Sequence, residues 1–187
     1  MSSSISCESL IAAVPAASTV PGAAGLAPRV ESRLRALQHW FQTDFSLIDG
    51  RTGELLRVAG DHSGMDWSTR TELAREVSRR QRAEFIEEED PWALLALPIG
   101  DQRNESLIAV GVFLTRAPAG EGDFNRLAAL LGCRRAKALE WAGRQTPVAA
   151  EVLARMAELV ASKWDADQNV EQLEEEVEKL SVHLGST

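Results

Sequence analysis

Two apolar runs decide the fold of this chain, Trp92-Ala-Leu-Leu-Ala-Leu-Pro-Ile99 and Leu107-Ile-Ala-Val-Gly-Val-Phe-Leu-Thr115. Neither run alternates between apolar and polar residues, which is the pattern of a strand covered on both faces. The short polar turn between them, 100–106, suits two antiparallel neighbours. The runs therefore predict a pair of adjacent, fully buried strands.

The residues before this pair predict helices and strands in turn. Apolar residues at helical spacing predict an amphipathic helix over 29–42. Two extended stretches joined by Gly-containing turn residues predict a β-hairpin over 45–59. A helix capped by Asp66 or Ser68 follows, and 83–87 is expected to form a further strand. The fold class is therefore α+β, with an antiparallel sheet flanked by helices.

Two more helices are expected after the strand pair. Asp123 is an N-cap candidate for a helix over 123–144, and Pro147 marks a break after it. Residues 148–184 contain no Gly or Pro, so we expect one long C-terminal helix there.

The end of that helix carries the heptad pattern of a coiled coil. Val170 and Val177 lie at position a and Leu173 and Leu180 at position d, and Leu184 follows four residues after Leu180. Val at a with Leu at d favours parallel two-stranded coils. The same register puts Lys163 at an earlier a position, while Val160 and Trp164 follow another phase, so we expect a stutter near 161–167. A lone helix cannot bury such a seam. We therefore expect a homodimer through these residues, Lys163 included.

Charge and composition exclude several classes of protein. The 187 residues carry a net charge of −8, and residues 165–187 hold seven acidic residues against one lysine. An acidic tail on a nearly neutral body argues against a nucleic-acid partner, which rewards a basic face. No run of eighteen apolar residues exists, so no membrane span is expected. With two cysteines and no basic residue before Arg29, we expect a cytoplasmic protein.

The chain divides into three parts by composition. Residues 1–26 are nearly uncharged and rich in Ser, Ala, Pro and Gly, so we expect a disordered leader or linker. Residues 27–145 form the globular body. We expect residues 146–187 to form the C-terminal coiled-coil helix.

The order of elements in the body resembles a GAF domain, a sensory domain of bacterial signalling proteins. Trp92–Ile99 is similar to the family's strand that ends in "xLxxPI", and 107–116 is similar to its "G-V-L-x-L" strand. Residues 119–132 and 136–142 are similar to the loop and helix that close the domain. The resemblance covers 29–144.

The resemblance implies a particular placement of helices and ligand. The helices at 29–42 and 123–144 would share one face of the sheet, and 61–82 would roof a ligand pocket on the other. The pocket would be lined by His62, Trp67, Phe85, Trp92 and Leu94. The chain lacks the "N-K-x-F-D-E" run of cyclic-nucleotide-binding members and the pocket cysteines of bilin-binding and sulfoxide-reducing members. The cofactor, if any, therefore stays unknown.

Each of these candidates also has a purely structural interpretation. His62 could orient a ligand or ligate haem iron, or it could be an exposed loop histidine, since one histidine without further ligands is weak evidence for a metal. Trp67 and Trp92 could stack on a ring ligand or fill the core. Trp40 and Trp141 are expected in the core, where their two helices pack together. No metal site and no catalytic residue is predicted.

These features favour a non-catalytic sensory or regulatory module. It would dimerise, bind an unidentified small molecule and relay a signal through the coiled coil to an output domain in a longer chain. Two alternatives remain open: a small enzyme of redox type that uses the pocket, and a structural dimerisation module without a ligand.

Overall fold

The computed structural model describes the backbone of residues 26–100 and 106–185, and their side chains except those of 87–89 and 180–185. All but the last residue of the expected leader, 1–26, therefore lies outside the described residues.

The described part of the chain folds as helices around one sheet. The helices are α1 (Pro28–Phe41), α2 (Thr71–Arg80), α3 (Gly120–Leu130), α4 (Arg135–Arg144) and α5 (Ala150–Gly185), and the strands are β1 (Phe45–Asp49), β2 (Leu55–Arg57), β3 (Glu84–Glu89), β4 (Trp92–Pro98) and β5 (Leu107–Leu114). The five strands form one antiparallel sheet in the order β2-β1-β5-β4-β3. The predicted α+β class, the antiparallel sheet and the long C-terminal helix are thus confirmed.

The two apolar runs form the middle of this sheet. β4 pairs with β5 in a register that sets Trp92 opposite Leu114 and Leu95 opposite Gly111. Every residue of β5 is buried. Strands whose side chains are buried on both faces need cover on both sides, and helices supply that cover on each face of the sheet.

One face of the sheet is covered by α1 and the first half of α5. The side chains from α5 are Leu153, Ala157, Val160 and Trp164, which join the buried cluster under α1. Three phenylalanines fill the centre, with the rings of Phe41, Phe45 and Phe113 packed edge to face at 5.7–6.0 Å between centroids. α5 is therefore part of the globular core and not only an appendage.

The other face is covered by α2, α3, α4 and the segment that leads into α2. Ala74 and Val77 of α2 and Leu127 of α3 are buried there with Trp141 of α4. Successive residues of β1, β4 and β5 point to opposite faces, so these three strands contribute to two separate cores.

The prediction that the helices at 29–42 and 123–144 share a face is wrong. The chain turns between α3 and α4 at Gly132, which has a positive φ of 57°. A Cβ there would lie 1.7 Å from the carbonyl oxygen of Gly64, so only glycine fits this contact. The expected single helix is therefore two helices, both on the face opposite α1. Trp40 is accordingly exposed and does not meet Trp141.

Candidate functional site

The helix α5 consists of two halves with different surroundings. Its first half packs on the sheet beside α1, as described above. The side-chain carboxylate of Glu171 still contacts the guanidinium of Arg29 near the start of α1. Beyond Glu171, every described side chain of α5 is exposed. One continuous helix thus connects the core to a projecting end.

A buried arginine fixes the first half of α5 against the sheet. Arg33 of α1 lies with its guanidinium carbon 5.0 Å from the centre of the Trp164 ring. It also donates to the backbone carbonyls of Ile99, at 3.3 Å, and of Gly100. Arg33 therefore joins α1, the end of β4 and α5 through one side chain, and a cation–π contact shielded from water gains strength.

The projecting half of α5 exposes the predicted seam. Val170, Leu173 and Val177 are 54%, 61% and 65% exposed, on a helix otherwise rich in carboxylates. Leu180 and Leu184 lie on the same helix, but their side chains are outside the described residues. A line of three large, exposed apolar side chains is unusual on the surface of a monomeric soluble protein. Their role in a dimer stays a prediction.

Lys163 lies at the surface of α5, just before the projecting half. Its ammonium group is 2.9 Å from the carboxylate of Asp167, one turn further on. Both side chains are about half exposed, so this pair adds little stability by itself. The carboxylate of Asp167 thus offsets the positive charge of Lys163, which lies at position a of the predicted seam.

The interpretation of His62 as an exposed loop histidine is wrong. The residue is 1% exposed, in a short helical turn between β2 and α2. Within the described residues its Nδ1 has no hydrogen-bond partner. Burial lowers the pKa of His62 to about 4, and the nearby carboxylates of Asp44 and Asp61 only partly oppose that effect. The imidazole is therefore neutral at physiological pH.

Trp67 lies beside His62 and contacts it. Its indole N–H donates to the backbone carbonyl of His62 at 3.2 Å, and the two rings lie 6.4 Å apart between centroids. These are the two predicted pocket residues that come together. The hydrogen bond gives Trp67 a structural role whether or not a ligand binds.

The other three predicted pocket residues lie elsewhere. Trp92 and Leu94 are fully packed between the sheet and α2–α4. Phe85 packs on the opposite face, with the cluster under α1 and α5. The five residues therefore do not surround one cavity in the described structure, and their binding role stays a prediction.

A polar groove of about 280 Å³ lies beside His62. Its walls include Gln38 of α1, Gln42 and Asp44 just after that helix, and Arg144 at the end of α4. The guanidinium of Arg144 pairs with Asp61 at 3.1 Å across the groove. The groove thus offers amides, a carboxylate and a guanidinium to a small polar molecule.

Sequence reasoning missed the groove because its walls come from separate parts of the chain. Gln42, Asp61 and Arg144 belong to different elements, and no spacing relates them. In the sequence, the adjacent polar residues Asp61 and His62 were the one indication of a polar site in this region.

A second ionic cluster fixes the loop before α3. Asp123, expected as an N-cap, instead lies within the first turn of α3 and accepts from the backbone N–H of Ala119 at 2.7 Å. Its carboxylate also meets Arg116 at 2.8 Å and Arg126 at 2.9 Å. The hydrogen bond from Arg116, followed by that from Ala119, lowers the pKa of Asp123 to about 2. This cluster has the character of a structural support.

The described residues give little support for a reactive cysteine, a metal site or a membrane span. The Cys133 thiol lies at the turn between α3 and α4, half-buried, and burial raises its pKa. Among the described residues no three His, Cys, Asp or Glu side chains converge as metal ligands do. None of the described helices is both long and apolar enough to cross a bilayer.

Comparisons with protein-family models, curated proteins and solved structures gave no match to this chain. The likeness to a GAF domain therefore stays a prediction from the sequence.

Proposed function

We propose that this chain is a non-catalytic, GAF-like sensory or regulatory module of the cytoplasm. It forms a homodimer and passes a signal along a C-terminal coiled coil to an output domain in a longer chain. The observation that carries the proposal is the division of α5 into a docked half and a projecting half.

A continuous helix can transmit a change in packing from one of its ends to the other. Leu153, Val160 and Trp164 hold one end of α5 in the core, and Val170, Leu173 and Val177 present an apolar seam at the other. A change in packing under the docked half must move the projecting half, because the helix between them is continuous. Two packings that differ by a few kcal/mol suffice for such a switch.

The groove beside His62 is the proposed place for the small-molecule ligand. It lies at the end of α1, the helix that contacts α5 through Arg33. A ligand that moves the end of α1 would therefore act on the docking of α5. The amide and ionic groups of the groove favour a small polar ligand over an apolar one.

A ligand-free structural dimerisation module is the second candidate. It is favoured by the close packing of Trp92 and Leu94, which fill the space where the resemblance implies a pocket. In that case the seam of α5 alone would carry the function.

Replacing Leu173 and Leu180 together by Asp tests the dimer. Burying charge in a coiled-coil seam costs several kcal/mol, so light scattering should report a monomer or a strongly weakened dimer. The matched control replaces Gln168 and Gln172 by Asp, which adds the same charge to the same helix away from the a and d positions. An unchanged dimer in the seam variant, or equal loss in both variants, would contradict the proposal.

Native mass spectrometry of freshly purified protein separates the two candidates. A dimer mass with an additional small molecule supports the sensory module, and Arg144→Ala should then lower the occupancy. A dimer at the bare polypeptide mass, unchanged after addition of cell extract filtered to small molecules, favours the structural module.

A further inference from the structure

We propose that the dimer seam runs along the whole of α5, so that the globular body itself takes part in the interface with a second copy of this chain. The inference depends on the homodimer of the proposed function and assigns a longer surface to it. The docked half of α5 would be both a core element and an interface element.

The docked half of α5 exposes two large apolar side chains. Val152 and Leu159 are 50% and 65% exposed, although the helix around them packs on the sheet. They are seven residues apart, and Leu159 lies fourteen residues before Leu173. Counting back from Leu173 in sevens therefore meets Ala166, which is also exposed, then Leu159 and Val152. All four share position d of one heptad register.

The buried residues of α5 lie at other heptad positions. Leu153 and Val160 occupy position e of this register, and Ala157 and Trp164 occupy position b. The second apolar phase that suggested a stutter near 161–167 is therefore the side of α5 that faces its own sheet. The helix is continuous through that segment, and the d column continues along it. In the a column of the docked half, Met156 packs partly on the core and Lys163 pairs with Asp167.

The position of α1 leaves the seam open. α1 contacts α5 at Trp164 and Glu171, through Arg33 and Arg29, and both contacts are at position b. At about 100° per residue, position b lies about 130° around the helix from the centre of the a and d columns. A second helix can therefore approach the seam from the side away from α1.

Length supports the extended seam. The segment from Val170 to Leu184 supplies two heptads, whereas coiled coils are recognised by about three to four sustained heptads. Beginning at Val152 instead gives d positions in five successive heptads of α5, from Val152 to Leu180. The projecting half alone is a short coil, and the docked half supplies the missing length.

The charge pattern indicates a second copy in parallel orientation. In a parallel pair, position g of one helix faces position e of the next heptad in the other helix. Glu176 then faces the position of Ser181, and Asn169 faces that of Glu174, so no two carboxylates are opposed. An antiparallel pair would set e against e, bringing Asp167 and Glu174 together.

Dimer dissociation constants of three variants test this surface. Leu159→Asp changes the docked half, Leu173→Asp changes the projecting half, and Leu139→Asp is the matched control at an exposed leucine of α4. By sedimentation of the full chain, we expect at least tenfold weaker dimers for the first two and no change for the control. Far-UV circular dichroism should show that all three remain folded, because each leucine is exposed.

The outcomes separate this inference from the proposed function. If Leu173→Asp weakens the dimer and Leu159→Asp behaves like Leu139→Asp, the extended seam is refuted and the distal coil stands. If Leu173→Asp also has no effect, the homodimer through α5 fails and the extended seam fails with it.

Disulfide cross-linking supplies a test without a buried charge. With Cys7 and Cys133 replaced by Ser, a single cysteine at 159 should cross-link to its own copy under oxidation, as d positions of a parallel pair approach to bridging distance. A cysteine at 139 should not cross-link. Cross-linking at 173 without cross-linking at 159 would overturn the inference.

Discussion

Lowering the pH from 7 to 5 should destabilise this protein through His62. The ring is buried, its pKa in the folded protein is about 4, and the ordinary value is 6.5. Between these two values the unfolded chain binds a proton that the folded protein does not. The free energy of unfolding therefore falls as the pH drops through 6.5 and stops falling because of His62 below about 4.

The magnitude follows from the two pKa values. Each pH unit between them corresponds to about 1.4 kcal/mol, which gives about 3 kcal/mol for the complete transition. About 2 kcal/mol of this is lost between pH 7 and pH 5, above the range in which most carboxylates titrate. The carboxylates of Asp44 and Asp61 partly oppose the lowering of the pKa of His62 by burial. The guanidinium of Arg144 pairs with Asp61.

Urea denaturation at pH 7, 6 and 5 measures this effect, with tryptophan fluorescence as the signal and one protein concentration throughout. His62→Gln should lower stability at pH 7 but lose about 2 kcal/mol less than the wild-type protein between pH 7 and 5. His39→Gln, at an exposed histidine, is the matched control and should keep the wild-type loss. Equal losses in the wild-type protein and His62→Gln would refute the argument from burial.

Four further outcomes are expected. Trp164→Ala should cost about 3–5 kcal/mol in urea denaturation, because it removes a buried ring and its cation–π contact from the docked half of α5. Lys163→Leu should raise the melting temperature of the dimer, since a polar residue at position a costs stability; no increase would mean that the side chain does not face the partner. Asp123→Asn should flatten the loss of stability between pH 4 and pH 2, which circular dichroism at several pH values can follow. Deleting 1–25 should leave the melting temperature within a few degrees, but Leu26 must be kept because it packs on the core.

The strands could be predicted from sequence because their signal is local. The runs around Leu95 and Val110 are apolar at every position, and such strands are buried wherever their sheet lies. The hairpin that forms β1 and β2 was also predictable from its turn residues. These predictions needed no knowledge of which elements meet across the sheet.

The assignment of helices to faces could not be predicted in this way. α5 has two apolar columns, and the sequence does not say that Trp164 faces the chain's own sheet while Leu159 faces outward. That division depends on the path of the chain after β5. The turn at Gly132 separates α3 from α4, and its requirement for glycine is visible only beside Gly64.

The candidate site was predictable only in part. His62 was identified as a residue of interest, but its burial follows from contacts with distant elements. Trp92 and Leu94 carry the same apolar signal whether a cavity or a packed core surrounds them. Sequence patterns report hydrophobicity along the chain, and a cavity depends on how closely separate elements approach.

The edges of the sheet restrict how copies of this protein can associate. β2, at one edge, is only three residues long, Leu55–Arg57. β3, at the other, has the sequence Glu-Phe-Ile-Glu-Glu-Glu and an irregular register between Glu87 and Glu89. Short, acidic or distorted edge strands discourage the addition of a strand from another molecule. Accumulation of this protein at high concentration should therefore not extend its sheet into fibres through either edge strand.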